Sequence, residues 1–134
     1  TPLPFLQRTG PSHFDITLEA WLETADGSRT LLTRTNYKHL YWDIRQQLVH
    51  HTSNGCPVRA GDILASGTIS GPDRSSWGCM LELSWNGTEP LILPNGEPRQ
   101  YLQDGDHIEI TGWAGDKSSS TFFGSIKNQI QQHA

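Results

Sequence analysis

Two stretches of this chain hold side chains that could do chemistry. Gly67-Thr68-Ile69-Ser70-Gly71 is small, polar and glycine-flanked. Its glycines let a backbone approach a ligand closely, and its hydroxyls can bind a carbonyl or a carboxylate. Short Gly/Ser/Thr clusters are also common loops, so spacing alone reads here as a tight turn at a strand end. The second stretch is Cys79-Met80-Leu81-Glu82-Leu83-Ser84-Trp85. A carboxylate such as Glu82 could orient a histidine or take part in acid–base work. A single Glu on the second face of a strand is otherwise a solvated group.

The histidines invite a metal or general-base reading, and their spacing argues against it. His50 and His51 are adjacent, so on a helix they point about 100° apart; a shared ion wants i, i+4. They fit better as cations near a helix C-terminus. His13, His39, His107 and His133 have no matching carboxylate or cysteine spacing. Asp104-Gly105-Asp106 is a fragment of a calcium loop without the remaining ligands, and reads as a turn. Phosphate-binding glycine motifs and a nucleophile elbow are absent from the sequence. By residue type alone the site is an unproven Thr/Glu polar pocket.

The elements that would position these groups are mostly strands. Phe14, Ile16, Leu18, Ala20 and Leu22 alternate with polar neighbours through Glu23, the pattern of a half-buried strand. Asp26-Gly27 is a hairpin signal, and 30–35 reads as the return strand. Asn36 is a candidate N-cap. Tyr37, Leu40, Tyr41, Ile44 and Leu48 then follow helical spacing, which predicts a helix over 37–51 packed on the sheet, stopped by Asn54-Gly55. Strands are expected at 62–69, 79–85, 91–93, 100–102, 106–113 and 122–126, with Pro94-Asn95-Gly96 as a hairpin turn and a fraying tail from Lys127. Leu81, Leu83 and Trp85 would share one strand face, with Met80, Glu82 and Ser84 on the other. One main helix among strands is an α+β, mostly β chain, a single unit over 1–134.

Composition narrows the function classes. The net charge is −4, with the ten basic residues scattered; a nucleic-acid partner needs a basic stripe. No apolar run is long enough to span a membrane. Thr1-Pro2-Leu3-Pro4 has neither the basic region nor the apolar stretch of a secretory leader. The two cysteines, Cys56 and Cys79, give no disulfide framework. Together these point to a reducing cytoplasm.

The string itself adds a resemblance. Asn36-Tyr37-Lys38-His39-Leu40-Tyr41-Trp42, Gln46-Gln47-Leu48, His50-His51 and Asn54-Gly55-Cys56 resemble the fumarylacetoacetase family. So do the run from Gly61 to Gly71, the run from Met80 to Trp85, Asp104-Gly105-Asp106 and Ile110-Thr111-Gly112. Shorter relatives such as acylpyruvate hydrolases carry Gly-Thr-Pro where this chain has Gly67-Thr68-Ile69, and lack the run Glu82 to Gly87, so the longer, tyrosine-catabolic type is favoured.

That resemblance implies the mixed-sheet β-roll of the family's C-terminal region. It implies hydrolysis of the carbon–carbon bond of 4-fumarylacetoacetate to fumarate and acetoacetate, by a cytoplasmic homodimer using Ca²⁺ or Mg²⁺. By the same resemblance Glu82 matches the carboxylate that orients the catalytic His, and Thr68 a substrate-binding threonine. The base, the metal ligands and the oxyanion donors of the family precede the matching region. The chain therefore resembles the C-terminal third alone; no metal ligand, no bound cofactor and no activity are expected of it by itself. Its expected partners are a small β-diketo acid and the missing N-terminal part, with no nucleic acid and no membrane. A stand-alone binding module on the same scaffold and a related β-diketone hydrolase are the alternatives. Cys79 stands where the family usually has Ser, and the family pattern is also lost after Gly115-Asp116.

Overall fold

The computed structural model describes residues 1–10, 13–116 and 120–132. The alternating segment forms β1 (Ile16–Glu23) and returns as β2 (Arg29–Asn36). The turn between them is held by Asp26: its carboxylate accepts from the Thr24 hydroxyl at 2.5 Å and the Ser28 N–H at 2.9 Å. Those bonds hold the Asp26 carboxyl at about 2. Gly27 takes the positive φ of 84° that closes the turn.

After a 3₁₀ turn at Tyr37–His39 comes α1 (Ile44–Thr52); α2 (Met80–Leu83), β3 (Leu91–Ile92), β4 (Pro98–Arg99), β5 (His107–Ala114) and β6 (Thr121–Gln129) follow. The main sheet is antiparallel with order β2-β1-β5-β6; β3 and β4 make a separate two-stranded ribbon. One sheet face carries Leu22, opposite Ile108. There Leu22, Leu32, Leu83 and Leu93 form the core, flanked by Trp77, Met80, Leu91, Leu102 and Ile108. Residues 77–102 thus lid one end of the sheet. Farther along the same face the cross-strand pair Ile110 and Ile126 stands open, Ile126 at 68% exposure.

The chain is mostly β with one main helix, as its patterning indicates, and several boundaries differ. The helix expected over 37–51 is confined to Ile44–Thr52. Asn36 caps only the 3₁₀ turn, accepting from the Lys38 N–H at 3.0 Å, and Leu40 is extended, at φ −66° and ψ 138°. The true N-cap is Asp43, in a reciprocal capping box with Gln46. Nor does the helix pack on the sheet. Tyr41 is 75% and Ile44 48% exposed, and Leu48 is also exposed. The apolar spacing is real, but it lines a cleft of about 480 Å³ whose other wall is Leu64, Ala65 and Ser66.

The segment expected as a strand at 62–69 runs without strand pairing, and the one expected at 79–85 holds the helical turn Met80–Leu83 instead. The second hairpin strand falls at Pro98–Arg99 instead of 100–102. Lys127 belongs to β6, which extends to Gln129. Residues 117–119 of the divergent stretch lie outside the described residues.

Candidate active site

Glu82 sits at the third position of α2, which docks on the core through buried Leu83. Leu81 and Trp85 are exposed, so the alternating strand faces expected for Leu81, Leu83 and Trp85 are not formed. The helix ends in a left-handed corner, Trp85 at φ 45° and Asn86 at φ 54°. Fully buried Ser84 braces that corner, donating to the Met80 carbonyl at 2.7 Å and accepting from the Gly87 N–H at 3.0 Å. Arg74 adds a bond of 2.6 Å to the Leu83 carbonyl. The run from Glu82 to Gly87 is therefore a helix-stop built from side chains.

The half-buried Glu82 carboxylate takes donors from Ser70, Gly78 and Cys79, the Cys79 backbone N–H included, and three of them meet on one oxygen. Ser70 Oγ donates to Oε2 at 2.6 Å, the Gly78 N–H at 3.1 Å and Cys79 Sγ at 3.4 Å. The Ser70 bond is the largest of the influences that hold the carboxyl below the usual glutamate value. Burial opposes it, and the Cys79 and Gly78 donors add to it. Glu82 reaches back over the first turn of its own helix, as an N3 Glu does in a capping box. The N-cap residue Cys79 makes no side-chain cap bond in return.

Thr68 and Ser70 are brought here by the turn that joins the Gly71 N–H to the Ser76 carbonyl at 2.9 Å. That turn is anchored to β2 through a 3.3 Å bond from Thr33 Oγ1 to the Ser75 carbonyl. Gly78 lets the two strands of chain touch: an added Cβ would overlap the Ile69 carbonyl and lie 2.7 Å from Thr68 Cγ2. Thr68 and Glu82 thus flank the same glycine, Thr68 on the exposed side. Of the partners around Glu82, the Ser70 hydroxyl belongs to the stretch that reads from sequence as able to bind a carboxylate, whereas the Gly78 N–H carries no such signal. The signal that could have found the helical turn itself is the Ser-x-x-Glu spacing of a capping box at 79–82, masked by cysteine at its first position.

The other candidate groups fall elsewhere. His50 and His51 border the α1 cleft, and His51 Nε2 lies 3.3 Å from Cys56 Sγ. Asp106 is buried and spends its carboxylate on Arg99 at 2.9 Å and the Gln103 N–H at 2.8 Å, a turn brace. Among the described residues no three His, Cys, Asp or Glu converge as a metal site, so the donor set does not fit the divalent cation that the resemblance implies. Among them, too, no helix is long and apolar enough to cross a membrane.

Residues 4–131 match the family described as fumarylacetoacetate (FAA) hydrolase C-terminal. Fumarylacetoacetase of Homo sapiens is 45% identical over 130 residues, covering 96% of this chain. The proteins of that name from Oryza sativa subsp. japonica and Caenorhabditis elegans are 40% and 39% identical over 130 residues, again with 96% of this chain covered. The chain spans only 31% of the length of the human relative and 30% of the rice one. On these grounds the chain belongs to the fumarylacetoacetate hydrolase family and corresponds to its C-terminal portion.

Proposed function

We propose that this chain supplies the C-terminal part of a fumarylacetoacetase, which hydrolyses the carbon–carbon bond of 4-fumarylacetoacetate to fumarate and acetoacetate in tyrosine and phenylalanine catabolism. The observation that carries this reading is a carboxylate held ionised by donors from Ser70, Gly78 and Cys79 beside the Thr68 stretch. Cleaving a β-diketone needs a base to activate water, a carboxylate to orient that base, and donors for the tetrahedral oxyanion. Glu82 fills the second role. Accepting an imidazole N–H fixes the tautomer of the base and stabilises the imidazolium formed when water gives up its proton. Thr68 offers a hydroxyl to a substrate oxygen.

The imidazole and the oxyanion donors come from an upstream part, which is this chain's first partner; the β-diketo acid is the second. The complete protein is read as a cytoplasmic homodimer. The divalent cation of the family is read as held by that upstream part, and the roles of Glu82 and Thr68 do not pass through it.

The test is a chimera in which this chain replaces the matching region of the human relative. The chimera is expected to hydrolyse fumarylacetoacetate and the chain alone is not. Glu82→Gln should lower kcat of the chimera by about 10³-fold or more, the scale seen when an orienting carboxylate is neutralised. Thr68→Ala should act mainly on KM. A folded chimera without turnover, or clear hydrolysis by the chain alone, overturns the reading.

A further inference from the structure

We propose that Ser70 is the positioning residue of Glu82: its hydroxyl, locked between the Gly78 N–H and Glu82 Oε2, fixes which carboxylate oxygen is left to face a catalytic base. The inference rests on the role proposed for Glu82 and adds a residue to it. A serine hydroxyl has one proton and two lone pairs. Ser70 Oγ accepts from the Gly78 N–H at 3.0 Å, and it lies 2.6 Å from Glu82 Oε2. With the backbone N–H on a lone pair, the hydroxyl proton is free to point at the carboxylate. Gly78 donates to Glu82 Oε2 as well, at 3.1 Å. Serine, backbone amide and carboxylate oxygen thus close a three-membered ring of contacts in which Oε2 can only accept.

Two consequences follow. A protonated Oε2 would set its own hydrogen against these donors, so the cradle selects the carboxylate. The Cys79 thiol also falls on Oε2, at 3.4 Å, so side-chain donors crowd one oxygen and the carboxyl plane is set by them. Oε1 is then the oxygen through which Glu82 takes the imidazole N–H. The segment carrying Ser70 is held from behind by buried Ile69 and by the Gly71–Ser76 turn, so the hydroxyl is placed by the backbone and has little freedom to leave.

The experiment is a ¹³C NMR titration of the Glu82 carboxyl in the 134-residue chain, for the wild type, Ser70→Ala and Ser70→Thr. The wild type should titrate below the ordinary glutamate value of 4.5. Ser70→Ala should move the midpoint upward, and Ser70→Thr, which keeps the hydroxyl, should restore it. A wild-type midpoint at or above the ordinary value overturns the proposal without any variant. So does a folded Ser70→Ala chain with an unchanged midpoint. In the chimera, Ser70→Ala should lower kcat more than it changes KM and move the acid limb of the pH profile upward; equal loss in kcat and in thermal stability, with the limb unmoved, overturns the catalytic side. An inactive chimera refutes the assigned reaction, whereas an unmoved titration refutes Ser70 alone.

Discussion

Glu82 keeps its charge at a half-buried position because a hydroxyl, a backbone N–H and a thiol meet on Oε2. Its folded-state pKa lies below that of the unfolded chain. Its contribution to stability is therefore complete above about pH 4.5 and disappears as pH falls through the folded value. Urea unfolding of wild type and Glu82→Gln should show a larger stability gap at pH 7 than at pH 3; a gap that is constant with pH refutes the cradle. Cys79 permits a second test. A serine there would accept the Glu82 N–H as an ordinary N-cap and complete the capping box. Cys79→Ser should stabilise the chain by about 0.5–1 kcal/mol in denaturant melts, the usual size of a cap. At this scale the residue types were informative and their partners were not. The Ser70 hydroxyl reads from sequence as a group able to bind a carboxylate. Which carboxylate could not be read, because a seven-residue run is too short to separate helical from alternating spacing.

The elements show where pattern and surroundings part company. The β1 alternation and the Asp26-Gly27 turn are local, so their strands fall within two residues of expectation. The helix misled because two good N-caps, Asn36 and Asp43, lie in one apolar period. Asp43 prevails because it is fully buried and also takes Arg8 at 2.9 Å and Arg45 at 3.0 Å. Asp43→Ala should cost about 1–3 kcal/mol, more than an isolated cap, since two guanidinium groups lose their acceptor. Ile44→Ala, by contrast, should stay within about 0.5 kcal/mol of wild type in this chain, while Leu22→Ala in the core should cost about 2–5 kcal/mol. A large Ile44 effect would mean that the helix face is covered in solution.

Across the whole molecule, apolar surface exceeds what the core covers. Ile63 is 94% exposed, and Phe122, Phe123 and Ile126 stand out from β6, an edge strand of the sheet. Edges and apolar patches of this kind associate. Sedimentation should show concentration-dependent self-association of the isolated chain, reduced by Ile126→Lys; a monomer at all concentrations would contradict this. Only the family resemblance bears on what would cover these faces, since composition and periodicity carry no trace of what packs on a face. The strand order has one more effect, on time. β1 lies between β2, its immediate successor, and β5, which follows only after residues 37–106. At a ribosome adding about 5–20 residues per second, that interval lasts roughly 4–14 s. Through it, the first hairpin waits with one edge of β1 unpaired. A central strand of the finished sheet is thus an open template during synthesis, and the yield of folded chain depends on how fast translation delivers β5.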